Sequence, residues 1–159
     1  MRMLLICAAI ALVAGAGGVR IAAAADTDPV VGTWQLNSAK STFMGGPALQ
    51  SQTRTYSQAG DKITLEMKTV SGDGKEVTTH TTYELNGKDF PVTGAADYDS
   101  LSAKQVDSNT AHFVLKKGGK PVGTTTRTVS TDGKTLTAKQ ETTTASGHKS
   151  ASVLVFDKQ

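Results

Sequence analysis

Residues 62–88 read KITLEMKTVSGDGKEVTTHTTYELNGK, two threonine-rich runs joined by one glycine turn and followed by another. Apolar and polar residues alternate from Ile63 to Met67, which is the period of a strand with one buried face and one face in water. The turns at 71–75 and 86–88 carry Gly-Asp-Gly and Asn-Gly, residues that adopt the positive φ angles of tight hairpins. The stretch therefore predicts a β-hairpin.

Turns of the same kind recur at near-regular intervals as far as the C-terminus. Strands at this spacing must close or stack to bury their apolar faces. We therefore predict an all-β fold, a single antiparallel up-and-down meander of about 8–10 strands that closes into a barrel. Residues 37–44 are expected to hold one helical turn or a loop. The predicted strands are 32–36, 52–58, 62–70, 76–85, 89–93, 100–106, 110–116, 122–130, 135–143 and 149–156.

The N-terminal residues 1–25 have the layout of a secretory signal peptide. Arg2 provides the positive start, residues 3–13 are almost entirely apolar, and four alanines end at Ala25. We expect cleavage after Ala25, which leaves one domain, residues 26–159, secreted into the periplasm. The apolar run is shorter than the ~20 residues of a membrane span, so we expect no span after cleavage; an uncleaved anchor helix is the alternative.

The mature chain is nearly neutral and has no cysteine. Because Arg2 and Arg20 leave with the signal, 17 basic and 14 acidic residues become a net charge of +1. Cys7 leaves too, so the domain must fold by its core alone, without disulfides. Nucleic-acid binding needs a concentrated basic face, whereas the lysines here lie mostly at turns. We therefore expect no nucleic-acid partner.

A short motif on the first predicted strand suggests a family. Gly32-Thr33-Trp34-Gln35-Leu36, followed by a break and a meander of glycine-turned strands, resembles the lipocalin and fatty-acid-binding-protein group of calycin β-barrels. In that group a Gly-x-Trp element marks the first strand, and its tryptophan packs across one end of the barrel. The resemblance implies a lipocalin-like barrel with Gly32 and Trp34 as its barrel-end motif. The chain is also similar to small secreted bacterial lipocalin-like proteins of unknown function.

The chain departs from the fatty-acid-binding branch in two places. The final Arg-x-Tyr strand, which holds the ligand carboxylate in that branch, is matched here by Leu154-Val155-Phe156. The helix-turn-helix lid has only residues 37–50 available, and Gly45-Gly46-Pro47 interrupts them. The resemblance therefore implies a barrel for small molecules without specifying a fatty acid.

We predict a binding module for one small apolar or amphipathic molecule, which a barrel of this size can enclose. Arg54 or Arg127 would anchor a carboxylate or phosphate if it pointed inward. An outward arginine lying over the sheet is the more common placement, because isolated charges are rarely buried. The other predicted ligand-facing residues are Tyr56, Ile63, Leu65, Met67, Tyr83, Phe113 and Leu115.

Two other function classes remain open. A barrel packed solid with side chains would act as a structural or interaction protein through its loops or an edge strand. A haem-binding or catalytic barrel would need clustered chemistry, but no nucleophile elbow, phosphate loop or zinc-protease helix occurs. We therefore expect no catalytic residue, no metal and no cofactor. The residues that such a site would draw on are His80, His112 and His148 for metal or haem, and Asp97, Asp99 and Asp107 for a carboxylate pair.

Overall fold

The computed structural model describes residues 26–45, 48–143 and 147–159. The predicted signal peptide, residues 1–25, lies outside the described residues. Within the described ranges, no helix is long and apolar enough to cross a bilayer.

Strands account for nearly all of the regular structure in these ranges, and glycine turns connect many of them. Gly60 and Gly87, for example, have φ angles of 61° and 79°, the left-handed conformation that glycine adopts without strain. The strands are β1 (Gly32–Leu36), β2 (Thr42–Met44), β3 (Leu49–Ala59), β4 (Lys62–Ser71), β5 (Glu76–Tyr83), β6 (Asn86–Thr93), β7 (Ser100–Gln105), β8 (Thr110–Lys117), β9 (Lys120–Val129), β10 (Thr135–Thr143) and β11 (Lys149–Lys158), with a 3-10 helix at Ser38–Lys40.

Ten of these strands form a closed ring. Strand β1 pairs with β3, each strand from β3 onward pairs with the next along the chain, and β11 returns to β1, where Leu36 lies opposite Phe156. The predicted all-β meander that closes into a barrel is confirmed, with ten strands in the ring. Closure removes the free sheet edges and gives every strand an inner and an outer face.

The stretch from residue 37 to residue 44 contains both a helical turn and a strand. The 3-10 turn at Ser38–Lys40 follows β1, and β2 then pairs with β11 along the same side as β1, with Phe43 opposite Ser152. The two short strands therefore act as one strand with a helical interruption. The sequence predicts no strand here, because β2 has three residues and a partner more than a hundred residues away fixes its conformation.

The two ends of the barrel differ. At one end the lead-in turn at 28–31 folds across the opening, and the indole N–H of Trp34 donates to the carbonyl oxygen of Val30 at 2.7 Å. Val30 and Trp34 are completely buried, so packed side chains close this end. At the other end, side chains from the β4–β5 turn and the β6–β7 loop line an opening.

A candidate ligand-binding cavity

The half of the barrel nearer the open end holds a cavity of about 480 Å³. This volume lies within the ~300–1,000 Å³ that is typical of small-molecule sites. The other half is filled by Trp34, Val129, Leu136 and Phe156, each at most 1% exposed. The barrel is therefore packed at one end and hollow at the other, rather than solid throughout.

Most residues predicted to face a ligand line this cavity. Ile63 does not, because it is the first inward residue of β4 and lies in the core at the closed end. Alternation along a strand distinguishes inward from outward side chains, but it does not show how far along the barrel axis a residue lies. That these side chains bind a ligand stays a prediction. The predicted residues in the lining are Arg54, Tyr56, Leu65, Met67, Tyr83, Phe113, Leu115 and Arg127.

The barrel-end motif lies at the closed end. The Trp34 ring is fully buried, and the ammonium of Lys158 lies 5.1 Å from its centroid. Gly32 has a φ of 130°, and a Cβ at this position would lie 3.0 Å from the Lys158 side chain. The glycine therefore allows the lysine to reach the tryptophan.

Both arginines point into the barrel, so the expected outward placement is wrong for each. Arg127 is 3% exposed and Arg54 is 7% exposed. The neighbours of Arg127 in register are Ala111 on β8 and Ala138 on β10, both completely buried. These small side chains leave room for an inward guanidinium, which is a tertiary feature that the sequence of β9 alone does not show.

Arg127 is held by a network at the floor of the cavity, defined here by Arg127, Asp28 and Tyr83. Its Nη2 donates to both carboxylate oxygens of Asp28, at 2.9 and 3.2 Å, and its Nη1 donates to the Tyr83 hydroxyl at 3.0 Å. The guanidinium carbon lies 5.7 Å from the centroid of the Tyr56 ring. The Nε atom is buried without a hydrogen-bond partner among the described residues. The floor is thus an ion pair surrounded by aromatic rings.

Arg54 differs because no carboxylate in the described part of the chain pairs with it. Its Nε donates to the Gln52 amide oxygen at 2.9 Å, and the Gln52 amide in turn donates to Thr69 at 2.9 Å. The guanidinium carbon lies 4.5 Å above the Phe156 ring. Ion pairs among the described residues do not include Arg54. A cation held by a glutamine and a ring keeps donors available for an anion.

The buried Tyr83 and the half-buried Tyr98 stay protonated beside these arginines. Burial raises the pKa of Tyr83 well above its ordinary value, and Arg127 opposes only part of that effect. Burial likewise raises the pKa of Tyr98, with Arg54 acting in the opposite direction. Both phenols are therefore neutral hydrogen-bonding groups in the cavity wall at physiological pH.

The walls of the cavity differ in polarity. The inward residues of β4 and β8 are mainly large and apolar, such as Leu65, Met67 and Phe113. The wall formed by β9, β10 and β11 is mainly hydroxyl and amide. Besides Arg127, its polar members are Thr125, Gln140, Thr142, Ser150 and Ser152. The cavity can therefore take an apolar body on one side and polar substituents or water on the other.

Three site residues were missed from the sequence. Gln52 shares the inward parity of Arg54, so strand alternation could have found it. An inward arginine requires a partner, but nothing in the lead-in identifies Asp28 as that partner. Tyr98 follows Gly94 in the β6–β7 loop, and its position over the opening depends on how that loop folds.

The histidines do not form a site in the structure. His80 is exposed on the outer face of the barrel. On the same face, the Nδ1 atom of His112 lies 3.3 Å from the hydroxyl oxygen of Thr126. His148 Nε2 is 2.8 Å from the carbonyl oxygen of Gly45. Across the described ranges, three or more His, Cys, Asp or Glu side chains never come together closely enough to hold a metal ion.

The three aspartates near β7 have different environments, and they do not form a carboxylate pair. Asp99 accepts the Gly118 N–H at 2.9 Å, and this hydrogen bond holds the pKa of the Asp99 carboxyl below its usual value. Asp107 accepts the Asn109 N–H at 2.8 Å, and Asp97 is exposed at the mouth of the cavity. Two of them therefore cap turns, as loop aspartates commonly do.

No protein family and no curated protein matches this sequence. Among solved structures, the zebrafish ileal bile acid-binding protein in complex with cholic acid is similar, with 14% identity, 82% of this chain and 99% of that chain covered, and a TM-score of 0.52. A redesigned β-barrel, mFAP0, bound to DFHBI matches over 82% of this chain and 99% of its own, with 12% identity and a TM-score of 0.45. The likeness to the bile acid-binding protein confirms the predicted barrel fold.

Proposed function

We propose that residues 26–159 form a secreted, periplasmic protein that binds a small amphipathic molecule with an apolar body and one anionic group. Arg54 is the observation that carries this proposal, since it is a buried guanidinium without a carboxylate partner among the described residues, in the wall of a cavity of about 480 Å³. A buried cation without a counter-charge is costly. A ligand carboxylate, sulfonate or phosphate would supply that charge in bidentate geometry.

The rest of the cavity supports an apolar body next to that anion. Leu65, Met67 and Leu115 offer aliphatic surface, and Phe113 packs edge-on against Tyr83 with ring centroids 5.4 Å apart. Burial of apolar ligand surface here contributes about 25 cal/mol per Å². The barrel fold, shared with a bile acid-binding protein, also favours a ligand-binding role.

Arg54→Met tests the anchor. Methionine keeps the length and apolar stem of the side chain, and removing an unpaired buried charge should not destabilise the barrel. We expect the affinity for dodecanoate to fall by about 10- to 100-fold, the value of a hydrogen bond to a charged group. Dodecanol, which has the same chain and no charge, should bind both proteins equally. Isothermal titration calorimetry of the mature protein measures both.

Lys75→Met is the matched control, because Lys75 is an exposed cation at the mouth of the same cavity. Its loss should change dodecanoate affinity by less than about fivefold, as expected for a solvated charge. Equal dodecanoate affinity in wild type and Arg54→Met would show that Arg54 is not the anchor. Absence of binding to either ligand by wild type would contradict an aliphatic amphipath as the ligand.

The proposed compartment rests on the sequence of residues 1–25 alone. N-terminal sequencing of the protein from fractionated cells should give Asp26 as the first residue in the periplasmic fraction. Native mass spectrometry of that material, followed by organic extraction, would then identify a bound molecule. A mass equal to the bare chain, with no uptake from a panel of amphipaths, would favour an interaction role instead.

A further inference from the structure

The two inward arginines carry different electrostatic environments. Arg127 forms an ion pair with Asp28, whose side chain is 8% exposed, with the shorter contact at 2.9 Å. Among the described residues, the guanidinium of Arg54 contacts the neutral Gln52 amide and the Phe156 ring but forms no ion pair. One arginine is thus neutralised by the protein itself, and the other is not.

Asp28 is held in place before any ligand arrives. Its N–H donates to the Gln58 amide oxygen at 2.7 Å, and its Oδ1 accepts the Val30 N–H at 2.8 Å. Val30 is in turn tied to the Trp34 indole, so the carboxylate belongs to the turn that closes the barrel. Such a preorganised carboxylate occupies one side of Arg127 without the entropy cost that a free ligand would bear.

Among the described residues, the charged side chains around the cavity have a net charge of +1, three cations against two anions. Arg54, Arg127 and Lys75 are cationic, and Asp28 and Asp97 are anionic. Lys75 and Asp97 are exposed at the mouth, where water screens them. Inside the cavity Asp28 neutralises Arg127, so that, of the side chains the structure describes there, Arg54 sets the charge of the binding site.

We propose that Asp28 is a specificity-determining residue: it neutralises Arg127 and so restricts the cavity to ligands with one anionic group. The inference rests on the proposed function, because it specifies the charge of the ligand that the same cavity binds. Without the Asp28 carboxylate, Arg127 would be a second uncompensated cation at the floor of the cavity that it lines, and therefore a second anion site. A linear dianion would then bind both arginines.

The test uses dodecanoate and a series of α,ω-dicarboxylates of increasing length, titrated into wild type, Asp28→Asn and Asp28→Asn/Arg127→Met. We expect Asp28→Asn to gain about 10- to 100-fold in affinity for the dicarboxylate whose length matches the two arginines. The double variant should lose that gain and keep its dodecanoate affinity within about fivefold of wild type. Asp26→Asn, an exposed change two residues away, should behave as wild type.

The outcomes separate the two proposals. If wild type binds dodecanoate and a folded Asp28→Asn gains nothing for any dicarboxylate, the role of Asp28 is wrong while the proposed function stands. If wild type does not bind dodecanoate but Asp28→Asn gains dicarboxylate binding through Arg127, the proposed function fails and the role of Asp28 stands. If Asp28→Asn does not fold, the test uses Asp28→Asn/Arg127→Met. A loss of dodecanoate affinity in this double variant as large as that of Arg54→Met would show that the monoanion depends on Arg127, and this result would overturn the inference.

Discussion

Breaking the ion pair at the cavity floor should cost much of the stability of the barrel. Asp28→Asn removes the charge but keeps an Oδ1 that can accept the Val30 N–H, so the lead-in turn survives. Arg127 would then be a cation at 3% exposure without a counter-ion. Removing one partner of a buried pair costs about 3–5 kcal/mol, out of the roughly 5–15 kcal/mol that holds a domain folded.

The cost can be read in a double-mutant cycle. At roughly 3–5 °C per kcal/mol for a domain of this size, Asp28→Asn should lower Tm by about 9–25 °C. Asp28→Asn/Arg127→Met should lose less than the sum of its single variants, because no unpaired charge remains. Urea unfolding followed by circular dichroism, together with thermal scans, gives all four corners of the cycle.

Asp26→Asn is the control, since Asp26 is exposed and belongs to the same lead-in. A loss of less than about 1 kcal/mol in Asp28→Asn, comparable with the control, would place the pair among solvated surface ion pairs. The reasoning about a buried, mutually dependent pair would then be refuted. A strictly additive double variant would refute it as well.

Three further outcomes follow from the fold. Gly94→Ala should lower the free energy of unfolding by at least about 2 kcal/mol, because the φ of Gly94 is 82° and a Cβ would overlap a carbonyl oxygen of β5. Gly60→Ala has open space around it and should lower the free energy of unfolding by about 1 kcal/mol. Equal losses for the two variants in urea unfolding would contradict the overlap. The hydrogen bond from Asn37 lowers the pKa of Asp157 below 3.8. Asp157 therefore stabilises the fold above that pH, and its contribution is lost as the pH falls through the lowered pKa. The difference in unfolding free energy between Asp157→Asn and wild type should vanish in acid, and a difference that stays constant with pH would contradict this. Trp34, the single tryptophan, is fully buried, so its emission should be blue-shifted and resist iodide quenching until the protein unfolds.

Local chemistry determined most of the barrel. Alternation along β4, β5 and β8 and glycine at the turns are properties of a few adjacent residues, so they predict strands without knowledge of their partners. The same alternation selected inward side chains such as Leu65, Met67 and Phe113. It did not predict β2, which exists only because β11 lies beside it.

The position of the cavity and the pairing of its charged side chains depend on tertiary structure. Alternation along β4 predicts that Ile63 and Leu65 face the same side of the sheet. Because Trp34 fills the closed end of the barrel, Ile63 lies in the core there and Leu65 lies in the cavity wall. Sequence statistics favoured outward arginines because an unpaired buried charge is costly. The fold met that cost for Arg127 with a carboxylate ninety-nine residues away and left Arg54 to a neutral amide. Such pairing depends on which strands close the ring, and no local pattern in the sequence encodes it.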